Sequence, residues 1–200
     1  LLAGRRLRSV RRTDRPAPRT WLRVSVAAAL VIVGTPLLGW LLLAAVKPEG
    51  QQVVAMDRNF YGVLRVTRDD SDQPEHERLT MAHGTTIHGF QYQAPEQRAL
   101  PTMYYAPQSG IGLAMEQHPR RNSTDGMKVG VVGLGTGTLA SYARQNDCLR
   151  FYEINPSVVE LADTHFTFQH DARARGADVR VLLGDARIVM QRQLAKGYSE

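Results

Sequence analysis

The sequence predicts an α/β protein: helices wound on a parallel sheet, preceded by a small antiparallel β-module and one transmembrane helix. Three observations carry this. Residues 24–46 are 23 consecutive residues without a charge. Residues 60–92 are short β-branched and aromatic runs broken by turn signals. From Met127 onward the chain alternates apolar strand, loop and helix three times.

The first 23 residues form a basic arm. They hold eight arginines (Arg5, Arg6, Arg8, Arg11, Arg12, Arg15, Arg19 and Arg23) against the single Asp14, a surplus of seven. The formal charge of the whole chain is +6, so everything after the arm is close to neutral. A basic tail with no aromatic residues interleaved along a groove does not make a nucleic-acid interface, and no nucleic-acid partner is expected. As a helix, residues 24–46 would cover roughly 35 Å, more than the ~30 Å hydrocarbon core of a bilayer. Pro36 is tolerated in such a helix, and Trp21 stands where an aromatic belt is expected. A buried core helix is rarely so long and uniformly apolar. A signal peptide has a shorter apolar region, and Ala44-Ala45-Val46 before Lys47-Pro48 is a poor cleavage site. The expectation is therefore membrane localisation with the bilayer as partner. The positive-inside rule puts the arm in the cytoplasm and residues 47–200 outside, which sits awkwardly with a cytosolic cofactor and leaves the orientation open.

Residues 47–122 read as the β-module. Phe60–Val66 and Arg78–Met81 are strand-like, Arg68–Pro74 is a loop, and His83–Tyr92 alternates around Gly84 and Gly89. A short helix follows, ending near His118-Pro119, and residues 120–126 are a polar linker. Residues 123–200 contain expected strands over 127–132, 149–154 and 178–183. The expected helices are a first one beginning at 138–144, a second over 157–167 and a third over 186–194. Such sheets ordinarily have more strands, and the chain opens on Leu1 rather than Met, so the sequence reads as a fragment. The lone Cys148 excludes an internal disulfide framework.

The chemistry concentrates at the carboxyl ends of the three expected strands. Gly133-Leu134-Gly135-Thr136-Gly137 follows a strand and opens a helix, where glycines let the chain turn tightly and a ligand lie against the backbone. Glu153, 20 residues after Gly133, ends the second strand and suits a ribose diol. Asp185, in Gly184-Asp185-Ala186, ends the third; its carboxylate suits the exocyclic amine of adenine while the Ala186 N–H meets a ring nitrogen. Each acid alone also has a structural reading as a strand end or a helix cap. Together they predict adenosine binding. The third glycine, Gly137, comes one position earlier than in the dinucleotide fingerprint, which favours S-adenosylmethionine or its decarboxylated form over NAD. No metal-ligand cluster is visible.

These residues resemble a known family. Val132–Ala140, Tyr152-Glu153-Ile154-Asn155-Pro156 and Gly184-Asp185-Ala186-Arg187 are similar to segments of the spermidine synthases, the polyamine aminopropyltransferases. His83–Gln91 and Pro101–Gly110 resemble their membrane-fused branch. The resemblance covers residues 55–200 and implies a Rossmann-like S-adenosylmethionine-dependent transferase fold whose parallel sheet is incomplete here. It implies that Gln91 contacts the nucleoside, that Tyr105 lines the substrate pocket, that Gly133, Gly135 and Gly137 form the loop, and that Glu153 and Asp185 are the ribose and adenine acids. It also implies a catalytic aspartate beyond Glu200, so no catalytic residue is assigned within the chain.

Two departures stand out. The family's loop carries an aspartate, which holds the donor's aminopropyl ammonium, where Thr136 stands, and the acid following the pocket tyrosine is absent at Ala106-Pro107. Both imply a weakened polyamine specificity, and the threonine implies a relaxed choice between the two donors. His83, His88 and Tyr104 read as turn and packing residues. The implied reaction is attack of a small-molecule amine on the carbon beside the donor's sulfonium. The rival expectations are a methyltransferase using unmodified S-adenosylmethionine and a non-catalytic nucleoside-sensing domain; the acceptor and oligomeric state are left open.

Overall fold

The computed structural model describes residues 18–46, 51–69 and 73–197. Most of the basic arm, Lys47-Pro48 and the loop residues Asp70-Ser71-Asp72 lie outside these. The chain divides into two compact units, Leu1–Glu49 and Gly50–Glu200.

The first unit contributes helix α1, Pro18–Val46, which begins earlier than the apolar run and takes in Arg19 and Arg23. Proline suits a first turn because its missing N–H would find no partner there. The stretch Arg23–Ala44 is long and apolar enough to cross a membrane, and none of it is buried. Pro36 lies inside this helix. One residue earlier, the Thr35 hydroxyl donates to the Val31 carbonyl (2.7 Å), a local bond of the kind that membrane helices tolerate beside proline.

The second unit is α/β, with an antiparallel four-stranded sheet and a separate three-stranded parallel one. The antiparallel sheet is a meander, β1 (Gln51–Asn59), β2 (Gly62–Asp69), β3 (Arg78–His83) and β4 (Thr86–Tyr92). β1 has no counterpart among the expected strands. Phe60 and Tyr61, read from sequence as the start of a strand, are instead the β1–β2 turn: the Tyr61 N–H donates to Asn59 Oδ1 (2.9 Å), and Gly62 adopts φ +127°. The β3–β4 pairing slips between Met81 and Ala82, because Met81 faces Gly89 while Ala82 faces Ile87. His88 is thus the extra residue of a β-bulge, a device that re-aims a side chain. After a 3-10 turn at Met103–Tyr105 comes the short helix α2, Gly110–Glu116.

The parallel sheet has the order β5 (Lys128–Val132), β6 (Cys148–Glu153), β7 (Asp178–Leu183). Two connections depart from expectation. The first expected helix is only a 3-10 turn, Thr138–Tyr142, because Ala143 is extended and Asp147 captures the next backbone: its carboxylate accepts from the N–H groups of Arg144 (2.9 Å) and Met127 (2.7 Å). The second expected helix is α3 (Pro156–His165), which stops two residues short of the expected end, and a further helix with no counterpart among those expected, α4 (Phe168–Ala174), follows it. Between them Phe166 turns extended and sinks into the core beside Phe168, each no more than 2% exposed. Helix α5 spans Ala186–Ala195.

One hydrophobic cluster serves both sheets, running from Leu64, Val66 and Met81 through Met115 and Met127 to Phe151, Phe166 and Phe168. Polar pins reinforce it. Asn59 of β1 donates to Asn155 and Ser157 at the start of α3 (2.6 Å each), and Ser157 also bonds Asp57. The antiparallel sheet is therefore fixed against the parallel sheet's carboxyl ends.

Candidate functional site

The parallel register sets Val132, Tyr152 and Leu182 side by side, so Gly133, Glu153 and Leu183 come level at the sheet's carboxyl end, with Gly184 one residue beyond. Two cavities open there. The larger, about 670 Å³, is bounded by Val132, Gly133, Glu153, Gly184, Asp185 and the α5 residues Met190 and Leu194. The smaller, about 360 Å³, lies between the glycine loop and the antiparallel sheet, with Tyr61, His83, His88, Tyr104 and Tyr105 on its far wall. Val132, Gly133, Glu153 and Ile154 border both, so the two are halves of one cleft.

Glu153 occupies the junction. It is 8% exposed; Oε2 accepts from the Leu134 N–H in the loop (2.8 Å) and Oε1 from the Asn155 N–H (2.9 Å). Each carboxylate oxygen has lone pairs to spare after one such bond, so two further donors can be received. The carboxylate thus ties the loop after β5 to the turn after β6 and still presents an acceptor pair to the cleft.

The three loop glycines all adopt left-handed φ: +91° at Gly133, +58° at Gly135 and +80° at Gly137. Their surroundings differ. A Cβ on Gly133 would meet nothing within 4 Å, because that position opens on the cleft, whereas one on Gly135 would approach the His88 carbonyl to 3.3 Å. Asp185 caps α5, its Oδ1 accepting from the Ile188 N–H (3.0 Å). The cap and the cleft wall are the same residue, so capping α5 does not take Asp185 away from the cavity. Ala186 borders the same cavity.

Tyr105 is on the wall of the smaller cavity. Burial pushes its phenol up to about 12, and the adjacent Tyr104, ring centroids 4.5 Å apart, adds to this. Its backbone is held by the Tyr142 hydroxyl, which donates to the Tyr105 carbonyl (2.5 Å). The Tyr104 hydroxyl donates to the His88 carbonyl (3.2 Å).

Two expected residues are not brought to the cleft. Gln91 is 1% exposed and fully engaged elsewhere: its Nε2 donates to the Arg98 carbonyl (3.0 Å) and the Thr167 hydroxyl (2.8 Å), and its Oε1 accepts from the Thr167 N–H (3.0 Å). It fastens β4 to the α3–α4 junction. Thr136 is also 1% exposed. Its hydroxyl shares a hydrogen bond with that of Thr138 (2.7 Å), and the side chain fills the space above Gly89, where a Cβ would come within 2.3 Å of it.

Conversely, His83, His88 and Tyr104, which the sequence suggests are packing residues, share the smaller cavity with Tyr61 and Asn155. The paired glycines around His83 and His88 were the available signal. Among the described residues no three His, Cys, Asp or Glu side chains gather as a metal-holding group.

Compared with protein-family models, curated proteins and solved structures, the chain matches none.

Proposed function

We propose that residues 51–197 are the nucleoside-binding part of a Rossmann-like, S-adenosylmethionine-type transferase, held at a membrane by α1. Within that class we favour a spermidine synthase-like aminopropyltransferase whose donor is S-adenosylmethionine or its decarboxylated form and whose second substrate is a small amine. The observation that carries the reading is the position of Glu153. A buried carboxylate at the end of the middle strand, braced by the glycine loop and shared by two cavities, suits the ribose diol of an adenosine. Adenine then occupies the larger cavity beside Asp185 and Ala186, and the sulfur substituents enter the smaller one beside Tyr105.

In such a site the chain binds and orients. Backbone N–H groups and apolar walls hold the nucleoside, and exclusion of water strengthens every polar contact made to the sulfonium end. The amine nitrogen attacks the carbon next to sulfur, the C–S bond breaks, and its electron pair stays on sulfur as a neutral thioether. The buried Thr136 favours a second reading in parallel. With no acid facing the donor's ammonium from the loop, unmodified S-adenosylmethionine is accommodated equally well, so a methyltransferase fits the same cleft.

The test is calorimetric titration of the full-length protein with methylthioadenosine, the nucleoside product common to aminopropyl transfer. Glu153→Ala is expected to weaken binding by about 1.5–3 kcal/mol, the range for hydrogen bonds to a charged group. Glu153→Gln, which keeps one acceptor and the side chain's shape, should fall between. Equal affinities for all three proteins would sink the adenosine reading.

A further inference from the structure

The loop position expected to read the donor's tail, Thr136, is packed beneath Gly89. What faces that space is the opposite wall of the smaller cavity, and its distinctive member is His88. Three independent features single it out. It is the bulged residue of β4, the one position where the β3–β4 register slips. Its ring lies nearly parallel to that of His83, centroids 5.7 Å apart and planes 25° apart, and both rings border the cavity. Its Nε2 is buried with no hydrogen-bond partner among the described residues, an unmet group that ordinarily weakens a fold. Asn155 Nδ2, on the same cavity's wall, is a second buried atom in that condition.

The supporting geometry is specific. His83 occupies its place because residue 62 is glycine: a Cβ there would fall 2.4 Å from His83 Nε2. The His88 backbone is pinned by the Tyr104 hydroxyl. The titratable groups facing His88 are His83 from β3, Glu153 from β6, Tyr61 from the β1–β2 turn, and Tyr104 and Tyr105 from the 3-10 turn after β4.

We propose that His88 is the residue that reads the tail on the ligand's sulfur, its Nε2 accepting a hydrogen bond from the tail's ammonium group. The inference rests on the adenosine reading of the cleft and adds to it the side chain that recognises the non-nucleoside end. Burial holds the imidazole below its ordinary pKa, and His83 lowers it further against the opposing pull of Glu153. Above pH 6.5 the ring is therefore neutral and can accept. Once protonated it can only donate, and it sets a positive charge against the ammonium. An ammonium is common to S-adenosylmethionine and its decarboxylated form, so this contact favours a tail over none without choosing between the donors.

The experiment compares S-adenosylhomocysteine with methylthioadenosine. Both are neutral thioethers on the same nucleoside and differ only in the amino-acid tail. For the wild-type full-length protein, tenfold or tighter binding of the tailed ligand is expected at pH 7.5, and the ratio should shrink as the pH is lowered below 6.5. In His88→Ala the ratio should be below threefold throughout this range. His88→Gln, whose amide oxygen can still accept and whose shape is more conservative should the alanine variant fold poorly, should keep a ratio above threefold but lose the pH dependence. A tail preference unchanged in both variants, or absent from the wild type, overturns the role of His88 while leaving the nucleoside site standing. Failure of wild-type protein to bind methylthioadenosine at all overturns both.

Discussion

Thr136 and Glu153 show how differently two residues of one motif can be used. Glu153 was legible because its role is local: a strand end, a fixed interval from a glycine loop, and a carboxylate with spare acceptor capacity. Thr136 was not, because what decides its orientation is Gly89, 47 positions earlier, whose missing side chain leaves a space that the threonine fills. The resemblance to the spermidine synthases implies that an aspartate at 136 would hold the donor's ammonium. In this fold Thr136→Asp instead buries a carboxylate beside the Thr138 hydroxyl and against Gly89. Its expected effect is a loss of about 3 kcal/mol or more in folding stability, in the range for an uncompensated buried charge, with no gain in selectivity for the decarboxylated donor. Denaturant midpoints of the two proteins check the first part, and competition between the two donors the second. The same distinction explains His88, whose meaning depends on a bulge that no local pattern announces.

Among the elements, the three parallel strands were the most legible, since short apolar runs bounded by turn residues have few other fates. Helix ends were harder. The spacing of Val158, Leu161 and Ala162 gives no reason to stop before Thr167, and the break arises from a partner 76 positions away, the Gln91 side chain, which takes the Thr167 N–H and binds its hydroxyl. Gln91→Ala should therefore act on stability, costing about 2–4 kcal/mol for the buried donors and acceptors left unpaired. At temperatures where the variant remains folded, methylthioadenosine affinity should stay within twofold of wild type; a tenfold loss would return Gln91 to the ligand. β1 escaped notice because several of its side chains are exposed, Val53 and Met56 among them, and its sequence QQVVAMDRN offers little alternation. Its contribution is made through side chains instead, Asp57 and Asn59 gripping the start of α3.

On the scale of the whole molecule, every described side chain of α1 between Arg23 and Leu38 is exposed, whereas the unit Gly50–Glu200 has a continuous core. Exposure of so much apolar surface is costly in water and favourable in lipid, about 25 cal/mol per Å² of apolar area removed from water. The full-length protein should therefore remain in the pellet after alkaline carbonate extraction of membranes. A version lacking residues 18–46 should move to the supernatant and keep its nucleoside affinity; recovery of the intact protein in the supernatant would remove the anchor. Within the folded unit, the contact between positions 89 and 136 has a consequence for descent. The two sites share one volume too small for both a threonine and any side chain at 89, so they cannot drift independently. A lineage that gains even a methyl group at 89 must first shrink the residue at 136, and doing so strips the Thr138 hydroxyl of its partner. The two positions are thus expected to be inherited as a pair.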